Sequence, residues 1–245
     1  MAAPINSFNM NSMKDPEKTS VIDDFMYGSN VASAHIYIRM GFLRKVYGIL
    51  TAQLLVTTLT AAFFILHEPT KLFVQKNQWM LLVALFATFG VMMVLTLKRR
   101  ETPINYILLF VFTALEAYTV GVIVTFYHVS LVLEAFALTC AVTFGLSIYT
   151  LQSKRDFSKL GAGLFSVLWI LILAGLLQIF FQSEMIDKLL AIGGAIVFSL
   201  FIVFDTHMMM HKLSAEEYIV ASINLYLDII NLFLYILRIL NDNRK

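Results

Sequence analysis

Four carboxylates lie inside long apolar stretches of this chain: Glu116, Glu134, Asp205 and Asp228. A charged side chain near the middle of a bilayer costs roughly 2.5–3.5 kcal/mol on insertion scales, so each must face protein, water or the interface. Asp228 has the least freedom to escape, because it sits near the middle of YIVASINLYLDIINLFLYILRIL at 218–240. Asn224, Asn231 and Tyr235 recur with it at helical spacing and fall on one face. Asp205 lies towards one end of its own stretch and Glu116 and Glu134 towards the other, so acids facing one another would form a ladder of oxygen ligands. Glu134, close to a loop, can instead reach the interface, and Asp205 can do so through His207 or Lys212.

Two carboxylates in a low-dielectric site can share one proton, because ionising the second against the first is disfavoured. Such a pair is a pH switch. A hard cation such as Ca²⁺ takes about 6 to 8 oxygens, so two aspartates with amide and water oxygens suit weak, transient binding and not a tightly held metal or cofactor. His207 and His211 stand four apart, but no third ligand and no H-E-x-x-H pattern accompany them. Arg99 and Arg100 end the second apolar stretch, where one of them can latch Asp205 or simply mark orientation. The run Met208–Met210 suits lipid contact, and Gly193 with Gly194 suits close helix packing.

The elements that must position these residues are seven apolar stretches near 46–66, 79–97, 104–125, 130–151, 161–181, 189–209 and 218–240. Each approaches the ~20 residues needed to cross ~30 Å of hydrocarbon. Short connections make sequential helices antiparallel neighbours. Thr102-Pro103 starts the third, and Ser214 with Glu217 forms a capping box for the seventh. The fold expected is an all-α, seven-helix membrane bundle over 34–245, preceded by an aperiodic cytosolic tail at 1–33. Residues 34–45 mix apolar and basic side chains, as either a short interfacial helix or the charged flank of the first span.

The loops carrying Arg39, Arg44, Lys45, Lys98, Arg99, Arg100, Lys154, Arg155, Lys159 and Lys212 define the cytosolic side, against Lys71, Lys76 and Lys188 opposite. The N-terminus is therefore cytosolic and, after seven crossings, the C-terminus lumenal. Arg238, Arg244 and Lys245 run against that last step, which leaves six crossings and a re-entrant final segment as the alternative. No signal peptide precedes the first apolar stretch, which is expected to act as an uncleaved anchor.

Hydrophobic residues make up 59% of the chain and charged ones 14%, with a formal net charge of +2, which excludes a soluble globular class and gives no basis for nucleic-acid binding. The single cysteine, Cys140, rules out an intramolecular disulfide and reads as a buried structural thiol. An intramembrane aspartyl protease would want a G-x-G-D context at the second acid, whereas LYL precedes Asp228. A cytosolic N-terminus disfavours a G-protein-coupled receptor. The remaining classes are an ion pathway and a non-conducting scaffold acting through cytosolic partners.

FLRKVYGIL at 42–50, FDT at 204–206 and NLYLDIINLFLYILRIL at 224–240 resemble the transmembrane Bax inhibitor motif, or lifeguard, family. IDDFMYGSNVASA at 22–34, YTLQSKRDFSKLGAGL at 149–164 and HKLSAEEY at 211–218 resemble its Golgi branch in particular. The resemblance implies a last helix surrounded by the other six, and a calcium leak across Golgi and endoplasmic reticulum membranes that limits apoptosis. It implies a pH-sensing pair at Asp205 and Asp228 and an arginine latch from the second helix, for which Arg99 and Arg100 are the candidates here. Transient Ca²⁺ and H⁺, membrane lipid, calcium-release channels, apoptosis regulators and a second copy of the chain are the partners to expect, with no enzymatic activity.

Overall fold

The computed structural model describes residue 31 and residues 36–242, which form eight α-helices with no strand among them. They are α1 (Ile36–Leu66), α2 (Glu68–Lys76), α3 (Trp79–Leu97), α4 (Ile104–Val124), α5 (Val129–Gln152), α6 (Leu160–Phe181), α7 (Glu184–His211) and α8 (Tyr218–Asp242). All except α2 are long and apolar enough to cross a membrane. Of the expected tail at 1–33 only Val31 is described, and it is fully buried in the core. Arg244 and Lys245 also lie outside the described residues.

The basic stretch before the first span is part of α1 itself, which runs unbroken into the membrane segment. Nothing in IYIRMGFLRKVYGIL breaks a helix, and Phe42, Val46, Leu50, Gln53 and Thr57 repeat at three- and four-residue intervals as its buried stripe. Arg44 and Lys45 stay exposed on the other face. The connection at 67–78, expected as a loop, contains α2. His67 caps it, its Nδ1 accepting from the Thr70 amide at 3.4 Å, and Pro69 stands in the first turn, where a missing N–H costs nothing.

α8 is the central element. Of its most apolar stretch 61% is buried inside the protein, against 6% for α6. It packs mainly against α7, α5 and α1 and more lightly against α4. Further out, α6 packs on α7, and α3 packs chiefly on α4 while also lining a crevice with α8. Gly194 permits a close approach of α7 to α8, because a Cβ there would run into the Tyr235 ring. Gly193 faces Leu171 of α6.

α8 is one continuous helix from Tyr218 to Asp242, so the re-entrant alternative, which needs the chain to turn back, does not hold. Of the three basic residues that prompted it, Arg238 is described and has a partner. Arg238 Nε donates to Asp187 Oδ2 at 3.1 Å, and its Nη2 pairs with Oδ1 of the same carboxylate, tying the end of α8 to the start of α7. A neutralised arginine is a weak topological signal. Cys140 is exposed on α5, contrary to the buried thiol expected, since the outer face of that helix is apolar surface that meets lipid.

Candidate functional site

The buried stripe of α7 passes through Gly194, Phe198 and Ile202 and reaches Thr206, which sets Asp205 against α8. On α8, Leu225, Asp228 and Leu232 repeat at three- and four-residue intervals on a buried stripe, and Asp228 is only 5% exposed. The two carboxyls face each other closely enough to interact side chain to side chain, and the Asn224 side chain lies within reach of Asp205. A carboxylate has no proton to donate, so a hydrogen bond between two carboxyls requires one proton held between them. Asp228 Oδ2 has no further partner, and Thr206 Oγ1 beside the pair is likewise buried without one. The site thus holds more acceptors than donors, and its arrangement depends on that proton.

The rest of the polar face of α8 is spent on packing. Asn231 Nδ2 donates to its own helix, to the Leu227 carbonyl at 2.8 Å. Tyr235 stacks on Phe198, with ring centroids 5.7 Å apart, and covers Gly194. A small crevice between α3 and α8 is lined by Met92, Leu95, Thr96, Val220, Ile223 and Asn224.

The other two acids stand apart. Glu116 is on α4, one turn beyond Phe112, whose ring packs on Tyr226 on the side of α8 that faces α1 and α4. Glu134 is exposed on α5. The ladder of four acids therefore reduces to a pair, because α4 and α5 present these positions elsewhere.

Arg99 and Arg100 do not reach Asp205. Both pair with Glu217, at 3.1 and 3.2 Å, just before the first residue of α8. The latch they make therefore ties the α3–α4 connection to the entry of α8 and not to the aspartates. Glu217 also accepts from the Ser214 amide at 3.3 Å, which is half of the expected capping box, while Ser214 Oγ is buried without a partner. The hydroxyls of Tyr106 and Tyr218 meet at 2.9 Å, and Lys45 lies over the Tyr218 ring at 4.9 Å.

His207 and His211 use their nitrogens for bonds in different directions. His207 Nε2 faces Asp156 Oδ1 at 3.1 Å, and His211 Nδ1 donates to the His207 carbonyl at 3.0 Å, with the rings stacked 4.2 Å apart. Asp156 lies in the α5–α6 connection, where bonds from the Ser158 side chain and amide hold its carboxyl down to about 2. It is an anion at every physiological pH. Asp156 was not among the expected residues, since neither periodicity nor motif links a loop aspartate to a histidine 51 positions on.

Residues 39–245 match the family described as "Inhibitor of apoptosis-promoting Bax1". The chain is 54% identical over 227 residues to the Golgi anti-apoptotic protein of Vaccinia virus (strain Lister), covering 93% of this chain and 96% of that protein. It is 53% identical over 228 residues to Protein lifeguard 4 of Mus musculus, with the same coverage. Bax inhibitor 1 of Schizosaccharomyces pombe is 43% identical over 244 residues, covering 97% of this chain and 90% of that relative.

Proposed function

The chain belongs to the family of inhibitors of apoptosis-promoting Bax1, and from that premise we propose that it is a multi-pass Golgi membrane protein that restrains apoptosis by leaking stored calcium under the control of pH. The membership and the relatives' names support the first part of this reading. The calcium leak rests on one observation, the Asp205–Asp228–Asn224 contact buried between two membrane-spanning helices.

The chemistry runs as follows. With one proton between them, the two carboxyls hold α7 and α8 together in the closed state. Loss of that proton leaves two like charges in a poorly solvated place, and they separate or recruit a cation. Two carboxylates with an amide oxygen and water make a weak Ca²⁺ site, which transit requires. In this reading Ca²⁺ and H⁺ are passing ions and no cofactor is held. The chain performs no catalysis, the basic end faces the cytosol, and the endoplasmic reticulum is a second location.

Asn231 and Tyr235 close the remainder of the polar face against helix backbone and α7, an observation that also favours a second reading: a non-conducting scaffold acting through cytosolic or membrane partners. Reconstituted protein separates the two. The leak reading expects calcium flux whose pH dependence is flattened by Asp205→Asn. The scaffold reading expects no flux above empty liposomes from either protein.

A further inference from the structure

On the side of α8 away from Asp228, the helices α1, α4 and α8 enclose a set of uncharged oxygens. Tyr226 is fully buried, with its hydroxyl 2.8 Å from Thr57 Oγ1. Thr57 already donates to the Gln53 carbonyl at 2.9 Å, so Tyr226 is the donor to Thr57. Thr113 gives its proton to the Leu109 carbonyl at 2.8 Å and accepts from Gln53 Nε2 at 3.1 Å. That fixes the Gln53 amide, because Oε1 in the same place would meet an acceptor. With all three hydroxyl protons spent, the seam offers lone pairs. Gln53 is 3% exposed, and its Oε1 is buried with no donor facing it among the described residues.

Beside these oxygens stands an acid without a counter-charge. Glu116 lies one turn beyond Thr113 and Phe112 on α4, and the Phe112 ring meets the Tyr226 ring edge-on with centroids 6.1 Å apart. Among the described residues no lysine, arginine or histidine forms an ion pair with its carboxyl. α3 carries no titratable side chain, and α2, with Glu68, Lys71 and Lys76, meets α4 only at its end through Gln75 and Thr125. Tyr118 on α4 and Tyr226 on α8 are the titratable neighbours.

We propose that this seam is a second binding site, separate from the aspartate pair, for one single positive charge supplied as a proton or a monovalent metal cation, with Glu116 as the charged group and Gln53 Oε1 as the neutral ligand. Charge balance selects the class. One carboxylate among neutral oxygens is neutralised by one positive charge, whereas a divalent ion would leave an uncompensated charge in a poorly polarisable place. The site is independent of the calcium-leak reading, since it is defined by binding and not by flux.

The test uses full-length protein carrying Asp205→Asn and Asp228→Asn, so that the pair cannot respond. Thermal unfolding is followed while Na⁺ or K⁺ replaces choline at fixed pH, and separately while pH falls at fixed choline. Stabilisation by the metal ions identifies a cation site, and stabilisation by acid alone identifies a proton site. Adding Glu116→Gln should abolish whichever response is seen, Glu116→Asp should retain it, and Gln53→Leu should move its midpoint by about tenfold, the loss of roughly one hydrogen bond. A response that survives Glu116→Gln, no response to either ion, or a stronger response to Ca²⁺ than to Na⁺ and K⁺ would overturn the proposal. Glu116→Asp guards against a variant that merely fails to fold.

Discussion

The two faces of α8 treat polar groups in opposite ways. Towards α1, Tyr226, Thr57, Gln53 and Thr113 form chains whose directions are dictated by helix carbonyls, each hydroxyl having one place to put its proton. Towards α7, Asp228 meets Asp205, two acceptors whose contact exists only when a proton lies between them. The first face is determined by the fold and the second by the surroundings. A helix pinned on one side and conditionally held on the other is suited to a switch, because the pinned side sets the azimuth at which the switchable side is presented.

The comparison can be broken most severely where the α7 face is tightest. Gly194→Val would place side-chain atoms where a Cβ alone already runs into the Tyr235 ring, forcing α7 from α8. Overpacking of this kind costs about 1–3 kcal/mol or more, and thermal unfolding in detergent should show the largest loss of stability here, with the pH response of any flux lost as well. Tyr226→Phe removes one donor and leaves the ring in place against Phe112. It should cost about 0.5–1.5 kcal/mol while leaving the pH response intact, which separates pinning from switching.

Glu217→Gln unpairs Arg99 and Arg100 at a partly exposed site, so its stability effect should stay within about 1 kcal/mol and shrink further in high salt. Unfolding scans at low and high ionic strength check that. The smallest effect belongs to Asp156, which is fully exposed. Its carboxyl is held down to about 2, below the usual ~3.9, so its contribution is present above about pH 4 and lost as the pH falls towards 2. Asp156→Asn should therefore be distinguishable from the parent at pH 6 and indistinguishable at pH 2, as thermal unfolding at the two pH values checks.

The seven spans and the polar face of α8 were legible because composition and a 3.6-residue period carry them, and Asp228 stood out because a charge in hydrocarbon is rare. Pairing was not legible from the residues alone. Nothing local says that Asp205 rather than Glu116 turns towards Asp228, since both are single acids on apolar helices and the choice is made by which helix packs on which face. The arginines were misassigned for a similar reason: their sign predicts a carboxylate partner, and Glu217 was already read as a cap. The Gln53–Thr113 and Tyr226–Thr57 contacts join residues 60 and 169 positions apart, and threonine inside a span usually bonds its own helix. Gly194 was legible as a packing site from its small size alone.

Calcium flux into liposomes stepped through pH, measured side by side for the wild type, Asp228→Asn and Tyr226→Phe at equal incorporation, tests the division between the two faces most directly. The account predicts a steep pH response in wild type and in Tyr226→Phe, and a flat one in Asp228→Asn. A pH response unchanged by Asp228→Asn, or abolished by Tyr226→Phe alone, would contradict it.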